Sequence, residues 1–304
     1  MNEPKRNLSA SVLARLLKLA QETSQEYQVV LAGYCFERFL YRLGISEVRR
    51  RFVLKGAMLL RLWSGQPYRA TRDLDLLRQG GGSFEVVRKD LQTICAVAVK
   101  QDAVSFDADS IRVEAIRAED EYAGVRAVLP ARCGTARLPL QIDVGVGDSV
   151  WPVPQECVYP VLLDFPPPEV LAYTREAVVA EKLEALVVFG DRNSRIKDFF
   201  DLHFLASGFE FDRATLTEAA RRTFNRRRTK VPVESPIGLT SEYWRNPSRP
   251  AQMRAFARRA GLKLSDTTGQ EFARLLGAFL LPILDDLRLM EKTKGTWSPG
   301  GPWR

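Results

Sequence analysis

What most constrains this chain is a change of hydrophobic period across a run of prolines. Before that run, short stretches alternate apolar and polar residues, as in RDLDLL at 72–77 and LQIDVGV at 140–146. After it, apolar residues recur every three or four positions, the period of helices. Between the two lie Pro152, Pro154 and Pro160 and the FPPPEV run at 165–170. Proline lacks an amide donor and fixes φ, so neither a helix interior nor a central strand passes through such a stretch. The chain therefore reads as α+β: a mixed-sheet domain over 1–165, a helical domain over 170–292, and a flexible tail over 293–304.

Within the first domain the pattern gives helices at 9–22 and 26–43, then a short strand at 51–54. Lys55 and Gly56 turn the chain into a helix at 57–63, a strand follows at 72–77, and a helix spans 84–99 with Ser83 as its cap. Strands are expected at 111–117, 124–129 and 138–144. Beyond the prolines, helices are expected at 174–190, 195–207, 213–228, 248–260 and 267–290.

Composition removes several chemistries. A single histidine, His203, leaves no room for a zinc site built on two or three histidines. A Ser-His-Asp or Cys-His catalyst would have to use it, and beside an apolar helix face it reads as a packed core residue. Cys35, Cys95, Cys133 and Cys157 are scattered without a CxxC pair, which fits a reducing compartment. No stretch reaches the ~20 apolar residues of a membrane helix, and the N-terminal apolar segment is interrupted by charges unlike a signal peptide. A cytoplasmic protein is expected, with its chemistry resting on carboxylates, lysines and arginines.

The carboxylates are informative by spacing. Asp73 and Asp75 are two apart on a predicted strand, so their side chains share a face while Leu74 and Leu76 take the other. Two such carboxylates repel unless a cation sits between them, and Mg²⁺ takes oxygen ligands of this kind together with substrate phosphates. The alternative is a half-exposed strand showing ordinary charges to water. Gly56 stands at a strand-to-helix turn, where a phosphate can approach backbone amides, or is an ordinary glycine turn. Asp143 lies between Ile142 and Val144, a costly place for a carboxylate unless it is paired, metal-bound or at a strand end.

Together, a glycine turn, a DxD on the next strand and a lone carboxylate on a later strand match the layout of the nucleotidyltransferase β superfamily. The run RFVLKGAMLLRLWSGQPYRATRDLDLL resembles the first two motifs of the AbiEii/AbiGii toxin family of nucleotidyltransferases, which includes the mycobacterial MenT toxins. The segment VVAEKLEALVVFGDRNSRIKDFFDLHFLA resembles that family's third and fourth motifs. The likeness spans about residues 50–207 in order.

The resemblance implies a nucleotidyltransferase β-like N-terminal domain and an enzyme. It would use Mg²⁺ or Mn²⁺ and a nucleoside triphosphate to add nucleotides to the 3′ end of tRNA, opposed by a cognate antitoxin. Asp73, Asp75 and Asp143 would then hold metal, and Lys55, Gly56, Ala57, Arg69 and Thr71 would line the nucleotide. Lys182, Asp198 and Asp201 would be the lysine and acidic positions of the later motifs, with Arg192 and Arg195 toward the nucleotide. One departure is plain: relatives often carry a hydroxyl directly after the turn glycine, whereas this chain reads Gly56-Ala57-Met58. That leaves nucleotide affinity and choice open.

Read from the residues alone, Lys182 either snorkels past an apolar helix face or points at a triphosphate as a point charge. Asp198 and Asp201 are helix neighbours, and Asp201 serves equally well to orient a nearby cation or to act on substrate.

The formal charge of +8 adds a partner. Residues 212–260 hold twelve Lys and Arg against four acids, while the remainder of the chain balances. Phe224, Tyr243, Trp244 and Phe256 are interleaved, a mixture suited to phosphate contact with base stacking. Arg221, Arg222, Arg226, Arg227, Arg228 and Lys230 are the candidate RNA-binding residues, against the plainer reading of a solvated helical face. A non-catalytic nucleotide or nucleic-acid module on the same fold, or transfer to a small molecule, are the competing functions.

Overall fold

The computed structural model describes residues 8–65, 69–116, 124–147, 150–190, 196–262, 269–291 and 293–304. The chain divides into two compact units, one formed from 1–149 and 154–172, the other from 150–153 and 173–304.

In the first unit, helices α1 (Leu8–Glu22) and α2 (Tyr27–Ile45) precede strand β1 (Phe52–Lys55), helix α3 (Met58–Ser64), strand β2 (Asp73–Arg78) and helix α4 (Phe84–Cys95). Strands β3 (Val104–Phe106), β4 (Arg112–Ala115), β5 (Gly124–Cys133), β6 (Ala136–Val146), β7 (Gln155–Val158) and β8 (Glu169–Ala172) complete it. The sheet runs β3-β5-β6-β2-β1-β8-β7, with β4 also on β5. Pairings β2–β6 and β1–β8 are parallel; the others are antiparallel.

Alternation sorts the central strands as their sequence dictates. Leu74, Leu76, Ile142 and Val144 have no exposed surface, while Asp73, Asp75 and Asp143 on the opposite face are half-buried. Helix α2 contributes Phe36, Phe39, Leu40 and Leu43 to the core. It also buries charge: Glu37 and Arg38 are paired at 2.8 Å, and Arg42 bonds Asp102 at 2.7 Å. Burial pushes the Glu37 carboxyl up to about 7, against the opposing pull of Arg38 and the Leu162 amide.

Three strands of the first unit escape the sequence pattern. Strand β3 is three residues long and β7 lies at the sheet edge. Strand β8 lies at the end of the proline run, which from Pro154 onward is sheet-forming chain of the first unit, while Pro152 belongs to the second. Strand β5 continues past Pro130, because Pro130 pairs with Pro139 of β6 and the two missing donors coincide.

The second unit is helical: α5 (Arg175–Phe189), α6 (Ile196–Gly208), α7 (Arg213–Arg227), α8 (Ser241–Arg245), α9 (Ser248–Ala260) and α10 (Gly269–Leu289). Thr174 and Asp212 cap α5 and α7 by accepting bonds from the Ala177 and Thr215 amides. Residues 293–304, expected to be a flexible tail, are instead built in. Strand β10 (Thr296–Trp297) pairs with β9 (Phe211–Asp212). Trp297 is fully buried and its indole N–H donates to the Ala206 carbonyl at 2.7 Å. Two tryptophans in a glycine- and proline-rich stretch carry enough apolar surface to anchor it. Among the described residues no helix is long and apolar enough to cross a membrane.

Candidate active site

The carboxylate centre belongs to the first unit and follows from strand register. Parallel pairing of β2 with β6 sets Asp75 opposite Asp143, and Asp73 opposite Gln141. One oxygen each of Asp73, Asp75 and Asp143 lies within 4.8 Å of the other two. Thr71 donates its hydroxyl to Asp73 Oδ1 at 2.5 Å, which fixes that carboxylate's rotamer. Three half-exposed carboxylates are a hard-oxygen donor set of the kind Mg²⁺ and Mn²⁺ take, so the residues fit a divalent ion.

Gly56 closes the other side of Asp75. Its φ is +72°, and a Cβ there would lie 2.6 Å from Asp75 Cγ. Only glycine both adopts this turn and admits the carboxylate. Lys55 is the register partner of Asp75, and its Nζ would lie 4.0 Å from a Cβ on Gly145, so the ammonium sits over β6. Ala57 is buried, and the Leu59 and Leu60 amides bond back to the Gly56 and Ala57 carbonyls at 3.2 and 3.1 Å. The turn, not the body of the short α3, is thus the backbone next to Asp75. Arg69 is half-buried nearby in sequence.

Arg126 is a site residue the sequence reading missed. It donates Nε to Asp143 Oδ1 at 2.9 Å and Nη2 to Oδ2 at 2.7 Å. Gln141 Nε2 adds 3.3 Å contacts to both oxygens. The signal was present: Gly134 and Thr135 form a two-residue connection with Cys133 paired to Ala136, and counting back along that hairpin sets Arg126 against Asp143.

In the second unit, Lys182 of α5 bonds two carboxylates of α6, Asp198 at 2.6 Å and Asp201 at 2.9 Å. Asp198 and Asp201 are buried, 2% and 1% exposed, so they fix the ammonium in place. On the same helix Glu184 accepts from Arg227 at 2.6 Å and from the Thr229 hydroxyl. Glu181 accepts from Tyr173 and pairs with Arg226 and Arg227 at 3.7 Å. The EKLEAL stretch is therefore an ionic seam joining α5 to α6 and α7. His203 stacks on Phe272 with centroids 4.5 Å apart, and burial lowers its pKa against a weaker upward pull from Glu271.

The family model described as nucleotidyl transferase AbiEii toxin, type IV toxin–antitoxin system, matches residues 38–278. The chain belongs to the AbiEii nucleotidyltransferase toxin family. Among solved structures it is similar to MenT4, a nucleotidyltransferase toxin of Mycobacterium tuberculosis H37Rv. That match has 17% identity and a TM-score of 0.52, covering 93% of this chain and 99% of the other. It is also similar to JHP933 of Helicobacter pylori, with 13% identity and a TM-score of 0.50 over 87% of this chain and 95% of that one. At such identities the likeness concerns the fold. No curated protein matches the chain significantly.

The basic stretch of this AbiEii-family nucleotidyltransferase divides on inspection. Arg227 has a side chain only 6% exposed and turns inward to Glu184, and Arg226 turns to Glu181. Arg221 and Arg222 both bond Glu218, the latter at 2.7 Å, and Arg222 also lies over the Trp151 ring. Arg222, Arg228 and Lys230 are exposed, as are Arg245, Arg254, Arg258 and Arg259 on α8 and α9. The run at 226–228 is thus not one basic surface: charge on a helix reads as solvated until a buried acid on a packed neighbour claims it. Arg192 and Arg195 lie outside the described residues.

Proposed function

We propose that this nucleotidyltransferase moves a nucleoside monophosphate from a triphosphate onto RNA, at the 3′ acceptor end of tRNA, and is opposed by a cognate antitoxin. The observation that supports it most is the convergence of Asp73, Asp75 and Asp143 on one face of two parallel strands, with oxygens within 4.8 Å. In nucleotidyl transfer the acceptor hydroxyl attacks the α-phosphorus and pyrophosphate leaves, so the work is positioning and charge stabilisation.

A divalent ion held by Asp73, Asp75 and Asp143 would neutralise triphosphate oxygens and orient the attacking hydroxyl. Lys55 and the Gly56–Ala57 turn bind phosphate by charge and backbone amides, which serves in place of the missing hydroxyl. Thr71 and Arg126 hold Asp73 and Asp143 in the required rotamers. In the first unit Arg69 adds positive charge toward the nucleotide; in the second, Lys182, pre-oriented by Asp198 and Asp201, is a point charge suited to phosphate, with Arg192 and Arg195 as further basic positions. For the RNA we assign Arg222, Arg228 and Lys230, the members of the basic run that reach solvent; Arg221 contributes through its exposed edge, while Arg226 and Arg227 hold the helix. Triphosphates and tRNA are cytoplasmic pools, which places the reaction there.

Incubation of the protein with total tRNA, Mg²⁺ and each labelled triphosphate in turn tests this. Wild type incorporates label into tRNA and Asp75→Ala does not. Equal labelling by Asp75→Ala would refute the metal centre, and label appearing only in small molecules would redirect the acceptor class.

A further inference from the structure

The Arg126–Asp143 pair brings a charge as well as a geometry to the site, and the transfer reaction described above uses only the geometry. Both oxygens of Asp143 accept from one guanidinium in a fork-to-fork arrangement, at 2.9 and 2.7 Å, the most orienting hold a side chain exerts on a carboxylate. The arginine side chain is 33% exposed and the carboxylate 14%, so the pair sits at the rim of the site. Each carboxylate oxygen has two lone pairs. The arginine takes one on each, and the longer 3.3 Å contacts from Gln141 Nε2 hold the carboxylate from a second direction.

Charge gives the second half of the argument. Asp73, Asp75 and Asp143 bring three negative charges within 4.8 Å. Arg126 on one side and Lys55, the register partner of Asp75, on the other bring two positive ones. Bonded to Asp143, Arg126 offsets that carboxylate's charge, so among the described residues the three carboxylates draw a dication less strongly than their number suggests. A triphosphate adds several more negative oxygens.

We propose that Arg126 is a positioning residue that aligns Asp143 and, by cancelling its charge, makes capture of the divalent ion depend on the nucleotide. The site then takes up metal and triphosphate together, and the unliganded enzyme stays metal-poor. This rests on the metal-dependent transfer proposed above.

The test uses Mn²⁺ as the probe, read by the electron paramagnetic resonance signal of the free ion. The full-length protein is titrated with and without a non-hydrolysable triphosphate analogue. Wild type should bind Mn²⁺ weakly alone and tightly with the analogue. Arg126→Gln should bind Mn²⁺ without the analogue about tenfold tighter than wild type or more, since a unit charge next to the ion has gone. Arg126→Lys keeps the charge and loses the fork. It should retain wild-type Mn²⁺ behaviour while kcat for tRNA labelling falls and KM for the triphosphate holds.

If Arg126→Gln binds nucleotide-free Mn²⁺ no better than wild type, while wild type still takes up Mn²⁺ with the analogue, the proposal fails and the metal centre stands. If wild type takes up no Mn²⁺ even with the analogue, the metal-centre reading fails and this proposal with it. Should Arg126→Gln not fold, by its thermal melt, Arg126→Lys decides: wild-type kcat in that variant overturns the positioning role.

Discussion

Replacing Gly56 by alanine imposes two separate costs, and a second glycine separates them. The first is conformational. At φ +72° an L-residue pays the left-handed penalty of ~1–2 kcal/mol. For a unit of this size each kcal/mol lowers the melting temperature by ~2–4 °C, so a drop of about 2–8 °C is expected. The second is local to the site. The new Cβ would lie 2.6 Å from Asp75 Cγ and 2.7 Å from Asp75 Cβ. Carbon atoms pack at ~3.5–4.0 Å, so something must move by about 1 Å. Strand β2 is poorly able to do so, being paired on both sides, Asp75 to Lys55 and Asp75 to Asp143. The carboxylate itself swings away, and a misplacement of ~1 Å at a reacting centre costs on the order of 10²-fold in rate. Gly65, at φ +70° with no atom of the described residues within 4 Å of an added Cβ, carries only the first cost. Thermal melts and initial rates of tRNA labelling should therefore show both alanine variants melting a few degrees low. Gly56→Ala alone should lose about a hundredfold in rate. Near-wild-type labelling by Gly56→Ala, or an equal loss in Gly65→Ala, would show that the tight approach to Asp75 does not matter.

Two further outcomes concern the second unit. Trp297→Ala should cost ~3–5 kcal/mol in urea unfolding, because it empties a fully buried indole site and breaks the bond to the Ala206 carbonyl. It should also open the C-terminal residues to proteolysis. For Asp286, burial raises the carboxyl pKa, but bonds from Arg213, Thr293 and Thr217 outweigh it and hold the pKa below the usual carboxylate range. A folded-state pKa below the unfolded one gives stability that is full above the unfolded value and drains as pH falls through the folded value. Melts taken from pH 5 downward should fall more steeply for wild type than for Asp286→Asn; parallel curves would remove Asp286 from the acid response.

The parts of the fold written in local pattern were legible. Alternation at 72–77 put Asp73 and Asp75 on one face, and the 3.6-residue period located α5, α6, α7, α9 and α10 of the second unit to within a few residues, missing only the short α8 among the described helices. What failed were features set by distant chain. No local pattern marks EVLA at 169–172 as a parallel neighbour of β1, since pairing across so long a separation depends on the assembled sheet. Arg227 looked like surface because its partner, Glu184, is hidden on a helix packed on several sides. Arg126 is the intermediate case: the hairpin count alone aligns it with Asp143, but only side-chain geometry shows that the two engage as a fork. The family likeness supplied roles for residues that spacing alone left as alternatives, and the later-motif acids show why. Asp198 and Asp201 sit buried against Lys182, an arrangement that pattern cannot distinguish from solvent-facing acids on a helix.

The placement of β8 also bears on synthesis. As the chain emerges from the ribosome, β1 can find β2 and then β6 can close on β2, but the other flank of β1 stays open until residues 169–172 arrive. Until then the nascent sheet shows Val53 and Leu54, buried in the finished protein, along an unpaired edge of the kind that recruits other strands. The strand bearing Lys55 next to the Gly56 turn is thus the last strand of the carboxylate centre to be flanked on both sides. A truncated product ending within the proline run should keep that edge open and be prone to pair with other chains.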